Sequence, residues 1–196
     1  MVARRRMCRS FSDRPVPPEA LDRALSLATR APSAGNTQGW AFLVLEGAET
    51  EKFWRHTAQP SWLENPDHPG LLRAPAIVVP LASRASYVER YSEPDKARAG
   101  EDRVGEWQVP YWLVDTGFAT MLFLLGLRQE GLGASFFALH RPASAFLEEL
   151  GVPAGWEPLG AIALGWPAPD DKAGSSASRP RKQLSEVVHR GCWHAP

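Results

Sequence analysis

At 196 residues, with 44% of them hydrophobic and 22% charged, the chain suits one folded domain with an ordinary core. Lys+Arg and Asp+Glu each number 22, a balance that gives no global electrostatic case for binding nucleic acid or an anionic membrane. Two cysteines, Cys8 and Cys192, lie near opposite ends; that spacing makes neither a disulfide framework nor a zinc pattern and leaves two free thiols in a reducing compartment.

The opening Arg4–Arg9 segment is basic and is punctuated by Pro15-Val16-Pro17-Pro18. Polar Ser10, Ser12, Asp13 and Arg14 stand where a secretory signal would be apolar. No apolar run reaches the ~18 residues of a membrane span, so a cytoplasmic location is expected. Pro18 suits the first turn of a helix. Leu21, Ala24, Leu25 and Ala28 recur at helical spacing and predict an amphipathic helix over about 18–30. Ala31-Pro32-Ser33-Ala34-Gly35-Asn36 ends it in a loop. Trp40 to Leu45, between Gly39 and Gly47, reads as a buried strand, and Glu49 to Ala58 as a short helix. Residues 59–70, rich in Pro, Asn, Asp and Gly, read as loop.

Ala76 to Leu81 is a second buried strand, and residues 84–108 read as an irregular excursion. Tyr111 to Arg128 carries the strongest helix signal, apolar nearly all round, which marks a helix buried in a core or between subunits. Gly131 and Gly133 stop it. Ala134 to Leu139 reads as a strand, Ala143 to Leu150 as a short helix, and Leu159 to Leu164 as a late strand. Residues 168–180 look like an exposed linker, and Gln183 to His189 a last helical turn. There is no internal repeat. The sum predicts a single domain over 1–196: an α+β or α/β sandwich of helices on a small sheet, with a C-terminal arm at about 168–196.

The usual catalytic arrangements are missing. Gly131-Leu132-Gly133 begins like a dinucleotide loop but lacks the third glycine and follows a helix instead of a strand. His56, His68, His140, His189 and His194 show no metal-ligand spacing. There is no G-x-S-x-G elbow, and Ser33 in its Pro-Ser-Ala-Gly turn is explained by loop chemistry alone. No Cys/His pair is evident, so no metal site and no acid–base or nucleophilic residue is expected. What remains is arginine. Arg5, Arg6 and Arg9 cluster at one end, and Arg179, Arg181 and Lys182 at the other. Spacing alone leaves two readings open: two solvated basic tails, or a guanidinium fork for a phosphate if the ends converge.

Arg5-Arg6-Met7-Cys8-Arg9-Ser10-Phe11 resembles the R-R-S-x-R-x-F opening of the nitroreductase family. Ala31-Pro32-Ser33-Ala34-Gly35-Asn36-Thr37-Gln38-Gly39-Trp40 is similar to its A-P-S-x-x-N-x-Q-P-W loop, and Ala41-Phe42-Leu43-Val44 to the strand that follows. Asp115-x-Gly117-x-Ala119, running on to Gly131-Leu132-Gly133, resembles the family's central helix and its G-L-G end. Leu159-Gly160 to Gly165-Trp166-Pro167 resembles the late strand, and Arg179-Pro180-Arg181 the closing K/R-x-R segment. The likeness runs in order over nearly the whole chain. Two positions depart from it. Met7 stands where the family has Ser, which removes a hydroxyl contact to phosphate, and Gly39 stands where it has Pro, which loosens that turn.

The resemblance implies a three-layer sandwich, a small, mostly antiparallel sheet flanked by helices, in an intertwined homodimer. It implies FMN at the dimer interface, each site lined by both subunits. Arg5, Arg6, Met7 and Arg9 would surround the phosphate with Arg179 and Arg181. Asn36 would address the polar edge of the ring, with Pro32 and Ser33 beside it. Backbone amides of Phe137, Ala138 and Leu139 would lie near the hydride-accepting nitrogen. NADH or NADPH would be the donor and a flat, small-molecule oxidant such as a nitroaromatic or quinone the acceptor, in ping-pong order, with the redox step carried by the cofactor. No ribose-reading motif chooses between NADH and NADPH. Trp54, Trp62, Trp107, Tyr111 and Trp112 are read either as core packing or as rings that favour flat substrates. Other readings stay open: an FMN carrier without turnover, a different flavin reaction on the same fold, and a deazaflavin in place of FMN.

Overall fold

Four apolar runs and one short Trp-Glu-Pro segment become five strands: β1 (Trp40–Glu46), β2 (Ala76–Ser83), β3 (Gly133–Phe137), β4 (Trp156–Pro158) and β5 (Ala161–Gly165). The computed structural model describes residues 2, 5–97, 103–104 and 107–193. The sheet runs β1-β2-β5-β3, with β4 paired to β2, and every pairing is antiparallel. All residues of β2 and β5 are buried. Both faces of these strands are covered, so they read as unbroken apolar runs without alternation.

The helices are α1 (Pro18–Ala28), α2 (Ala48–Thr57), α3 (Pro60–Glu64), α4 (Arg84–Tyr91), α5 (Pro94–Ala97), α6 (Tyr111–Gln129), α7 (Ser144–Glu149) and α8 (Leu184–Val187). Successive strand residues point to opposite faces, and that alternation builds two cores. Ile77, Val79, Ala161 and Ala163 pack with Phe53 and Trp54 of α2 and Phe146 and Leu147 of α7. Ala76, Val78, Ile162 and Leu164 pack with Leu21 and Ala24 of α1 and Phe123 and Leu127 of α6. The result is the helix–sheet–helix sandwich, α+β in class, that the sequence leads one to expect. α1 and α6 lie very close: a Cβ on Gly126 would stand 2.9 Å from Ala24 Cα. Around the rest of α6 the apolar residues are not all covered, and Phe118 and Met121 are exposed.

Five local expectations need correction. The strand at Trp40–Glu46 is not a buried one: it lies at the sheet edge, paired on one side only, and of its residues Leu45 alone is buried. Residues 59–70 are not all loop, because α3 and a 3₁₀ turn at Pro69–Arg73 each begin on a proline, which a first helical turn tolerates. The excursion at 84–108 is not irregular throughout. The Ser83 hydroxyl caps α4 by accepting the Ser86 N–H at 3.2 Å, and Tyr87 and Tyr91, one helical turn apart, are both buried. The remaining part of that excursion, at 98–102 and 105–106, lies outside the described residues, as do Arg4 and His194. A short strand, β4, precedes the late strand, which starts at Ala161 instead of Leu159. Residues 168–180 do not form a free linker throughout, since the Asp171 side chain is 1% exposed.

Candidate active site

The N-terminal segment reaches the site as an extended thread. Cys8 N–H donates to Ala134 O at 2.8 Å, Ser12 N–H to Trp166 O at 2.9 Å and Ala168 N–H to Ser10 O at 3.0 Å. Phe11 bridges Pro167 and is fully buried. Glycines form the walls of the slot. A Cβ on Gly70 would meet Ser10 Cα at 2.5 Å, and one on Gly133 would meet Cys8 Sγ at 2.7 Å, so only hydrogen at these positions lets the thread pass. Burial pushes the Cys8 thiol up to about 11, which keeps it protonated and unreactive at neutral pH.

Two aspartates fix the thread from the other end of the chain. Asp171 Oδ1 accepts the backbone N–H of Arg9 at 2.9 Å and of Ser10 at 3.1 Å. Its Oδ2 meets the Arg6 guanidinium at 2.5 Å as a charge contact outside hydrogen-bond alignment. Asp170 accepts the Ser10 hydroxyl at 2.6 Å and Arg73 at 2.9 Å. The Ser10 and Arg73 hydrogen bonds hold its carboxyl below the usual carboxylate range.

Arg9 enters a cavity of about 220 Å³, together with Trp54, Trp62, Phe137, Ala138 and Leu139. The indoles of Trp54 and Trp62 stack with centroids 5.6 Å apart, and Trp54 stacks on Phe137 at 5.3 Å. Ala138 and Leu139 lie past the last paired residue of β3, so their amides are beyond the ladder. Arg9 makes no ion pair among the described residues, and a Cβ on Gly174 would stand 2.8 Å from its Nη1. Its guanidinium therefore rests on bare backbone beside an aromatic cavity.

Arg5 and Arg6 line a different, smaller cavity with Cys8, Arg128 and Asp171. The Met7 sulfur accepts the Phe136 N–H at 3.5 Å and Arg5 Nη1 at 3.8 Å. Arg179 and Arg181 are exposed. Within one chain the arginines thus do not gather as a single fork: Arg9 stands apart from Arg5 and Arg6, and the C-terminal pair has no ion-pair partner among the described residues.

Pro32, Ser33 and Asn36 are absent from the Arg9 cavity. Their loop is tied to α6 and α4. Asp115, 2% exposed, accepts the Ala34 N–H at 2.8 Å and the Tyr87 hydroxyl at 2.7 Å. Burial, then that hydrogen bond, pushes the Tyr87 phenol well up. Ser33 Oγ accepts the Gln38 N–H at 2.9 Å, and Gly35, Asn36 and Gln38 all take left-handed φ, at 61°, 53° and 53°. Gly39 does not loosen the turn. Its carbonyl accepts the Ser83 N–H at 2.9 Å, and a Cβ there would stand 2.5 Å from Tyr87 Cε2. The ring of Tyr87 fills the space that any larger residue would need. Pro32 and Asn36 are left exposed on this loop.

The sequence reading missed Asp170, Asp171 and the role of Asp115. Asp115 carried a signal, as the one acidic residue in an otherwise apolar helix. Asp170 and Asp171 sit in a stretch of Pro, Asp, Gly and Ser that looks like linker, and nothing in it marks them. Among the described residues no His/Cys/Asp/Glu group could hold a metal ion.

The chain belongs to the nitroreductase family, whose model matches residues 2–166. It is 26% identical over 196 residues to a protein of Archaeoglobus fulgidus named as an NADH dehydrogenase/NAD(P)H nitroreductase, covering 98% of this chain and 97% of that one. The fold matches a nitroreductase family protein of Clostridium difficile with TM-score 0.70 and 20% identity, over 98% of this chain and 96% of the other. It also matches a nitroreductase of Lactococcus lactis, solved with nicotinic acid, with TM-score 0.69 and 20% identity, over 91% and 95% of the two chains. That Lactococcus protein has been solved with 4-nitrophenol as well.

Proposed function

We propose that this nitroreductase-family oxidoreductase is an FMN enzyme that takes hydride from NADH or NADPH and passes it to a small flat oxidant, a nitroaromatic or quinone. The observation that carries the proposal is the Arg9 cavity, where a guanidinium with no ion-pair partner among the described residues, a stack of aromatic rings and the amides after β3 share a single space. A flavin mononucleotide has one anionic end and one flat end, and this lining suits both. Arg9 would hold the phosphate by charge-assisted contact. The Phe137, Ala138 and Leu139 backbone would lie along the ring and offer neutral donors, which need no titratable side chain. FMN, when bound, supplies the two-electron redox chemistry.

The rest of the site is assigned to a second copy of the chain. Pro32, Ser33 and Asn36 lie on a loop outside the cavity, and Asn36 has both donor and acceptor atoms for a ring edge. Phe118 and Met121 on α6, and Leu184, Val187, Val188 and Trp193 near the C-terminus, expose apolar surface that a homodimer would bury. In that assembly Arg179 and Arg181 of the C-terminal arm would reach a phosphate, with Arg5, Arg6 and Met7 nearby. No described helix is long and apolar enough to cross a membrane, and a site inside the cell, where NAD(P)H is available, is part of this reading. The test is direct. Purified protein titrated with FMN should show flavin absorbance that co-migrates with a dimer, and should oxidise NADH or NADPH when menadione or a nitroaromatic is added. Bound flavin without turnover would make it a carrier instead, and no flavin binding would end the proposal.

A further inference from the structure

The Asp171 side chain is buried, yet it lies against an arginine-rich extended segment that, on the FMN reading, meets an anion. A bare carboxylate there would repel a phosphate. Its contacts resolve the conflict. One oxygen takes the N–H groups of Arg9 and Ser10, and the other faces Arg6. Arg6 is therefore committed to neutralising Asp171, while the Arg9 guanidinium, without an ion-pair partner among the described residues, lies over Gly174 and lines the aromatic cavity. We infer that Asp171 is the positioning residue for phosphate recognition: it fixes the Arg9 backbone so that the guanidinium points at the phosphate, and it draws Arg6 away from that task. This rests on the FMN reading above.

The consequence is a division of labour between two neighbouring arginines that sequence alone treats as equals. It also predicts selectivity of a particular kind. The clamp bears on the phosphate end only, so it should govern the preference for FMN over riboflavin and leave ring binding alone.

The test measures dissociation constants of both flavins by fluorescence quenching, with circular dichroism as a check on folding. Asp171→Ala should weaken FMN by about tenfold or more, the scale of one charge-assisted contact, and leave riboflavin within about twofold. The double variant Asp171→Asn, Arg6→Gln keeps an acceptor for the Arg9 and Ser10 N–H groups and removes both charges. It should bind FMN within about threefold of the wild type. Equal loss of both flavins in Asp171→Ala, or unchanged FMN binding in that variant when folded, overturns the inference. Should Asp171→Ala not fold, the double variant decides alone: near-normal FMN binding supports the clamp, and a loss of about tenfold or more overturns it. A wild type that binds neither flavin overturns the function reading, and this inference with it. A wild type that binds both flavins equally overturns the phosphate contact of Arg9 and the clamp with it, and leaves flavin binding itself standing.

Discussion

Residues 8–12 and residues 33–39 are each tied down by one buried aspartate, and the two anchors differ in kind. Asp171 accepts two backbone N–H groups and faces a cation, Arg6. Asp115 accepts one backbone N–H and the Tyr87 hydroxyl, and makes no ion pair among the described residues. The first segment delivers Arg9 into a cavity of its own chain, and the second leaves Pro32 and Asn36 exposed on its surface. On the proposed reading of a site shared between two copies, the contrast would give each chain two separate halves, one turned inward and one presented outward. A rigid outward loop is what a partner's cavity needs, because a loop ordered before association gives up less entropy on binding.

Breaking the outward anchor should have the largest effect on stability. Asp115→Ala strands the Ala34 N–H and the Tyr87 hydroxyl in a buried setting, and should cost roughly 2–5 kcal/mol in urea unfolding. Asp115→Asn, which keeps an acceptor, should cost clearly less. Alkaline pH probes both anchors at once. Cys8 beside the Asp171 clamp and Tyr87 on Asp115 hold their protons more tightly folded than unfolded. For Cys8 that contribution is fully present below the ordinary thiol value of 9.0 and is lost as pH rises toward about 11. The loss from Cys8 alone is up to about 3 kcal/mol. Thermal melts between these limits should fall, and Cys8→Ser should flatten the decline.

Gly39→Ala sharpens the comparison further. Its Cβ would press on the Tyr87 ring at 2.5 Å, and the strain should cost about 1–3 kcal/mol in the same unfolding assay. In a Tyr87→Leu background the added cost of Gly39→Ala should shrink, the coupling a double-mutant cycle reads out. The smallest effect is expected at the outer pair on the inward side. Arg73 and Asp170 are both more than half exposed, and Arg73→Ala should barely move the unfolding midpoint.

Much of this was legible in the chain. The strands at 40 and 76 and the long helix from Tyr111 follow from apolar runs between glycine and proline, although β1, at the sheet edge, is mostly half-buried and, of the two strands, only β2 is buried throughout. The Arg9 cavity, with the amides after β3, also follows from motif order, because those segments keep their places relative to the sheet. What stayed hidden depends on tertiary partners. α4 is a polar segment whose burial rests on two tyrosines one turn apart, a weak signal among charged neighbours. Asp171 lies in a stretch that composition marks as solvent-exposed, and only the return of the N-terminal thread alongside it gives that carboxylate its donors. The separation of Arg9 from Arg5 and Arg6 is likewise a matter of which side of the thread each side chain leaves, which spacing in a non-repetitive segment does not decide.

The claim that the halves of one site come from different chains is tested most directly by mixing two defective proteins. Arg9→Ala and Asn36→Ala should each bind FMN poorly as homodimers. Co-refolded in equal amounts, they should regain tight binding at about one site in four, because half the dimers are mixed and each of those has one intact pair of halves. If the mixture binds no more FMN than its two parents, Arg9 and Asn36 serve the same chain's site, and a site shared between subunits is contradicted.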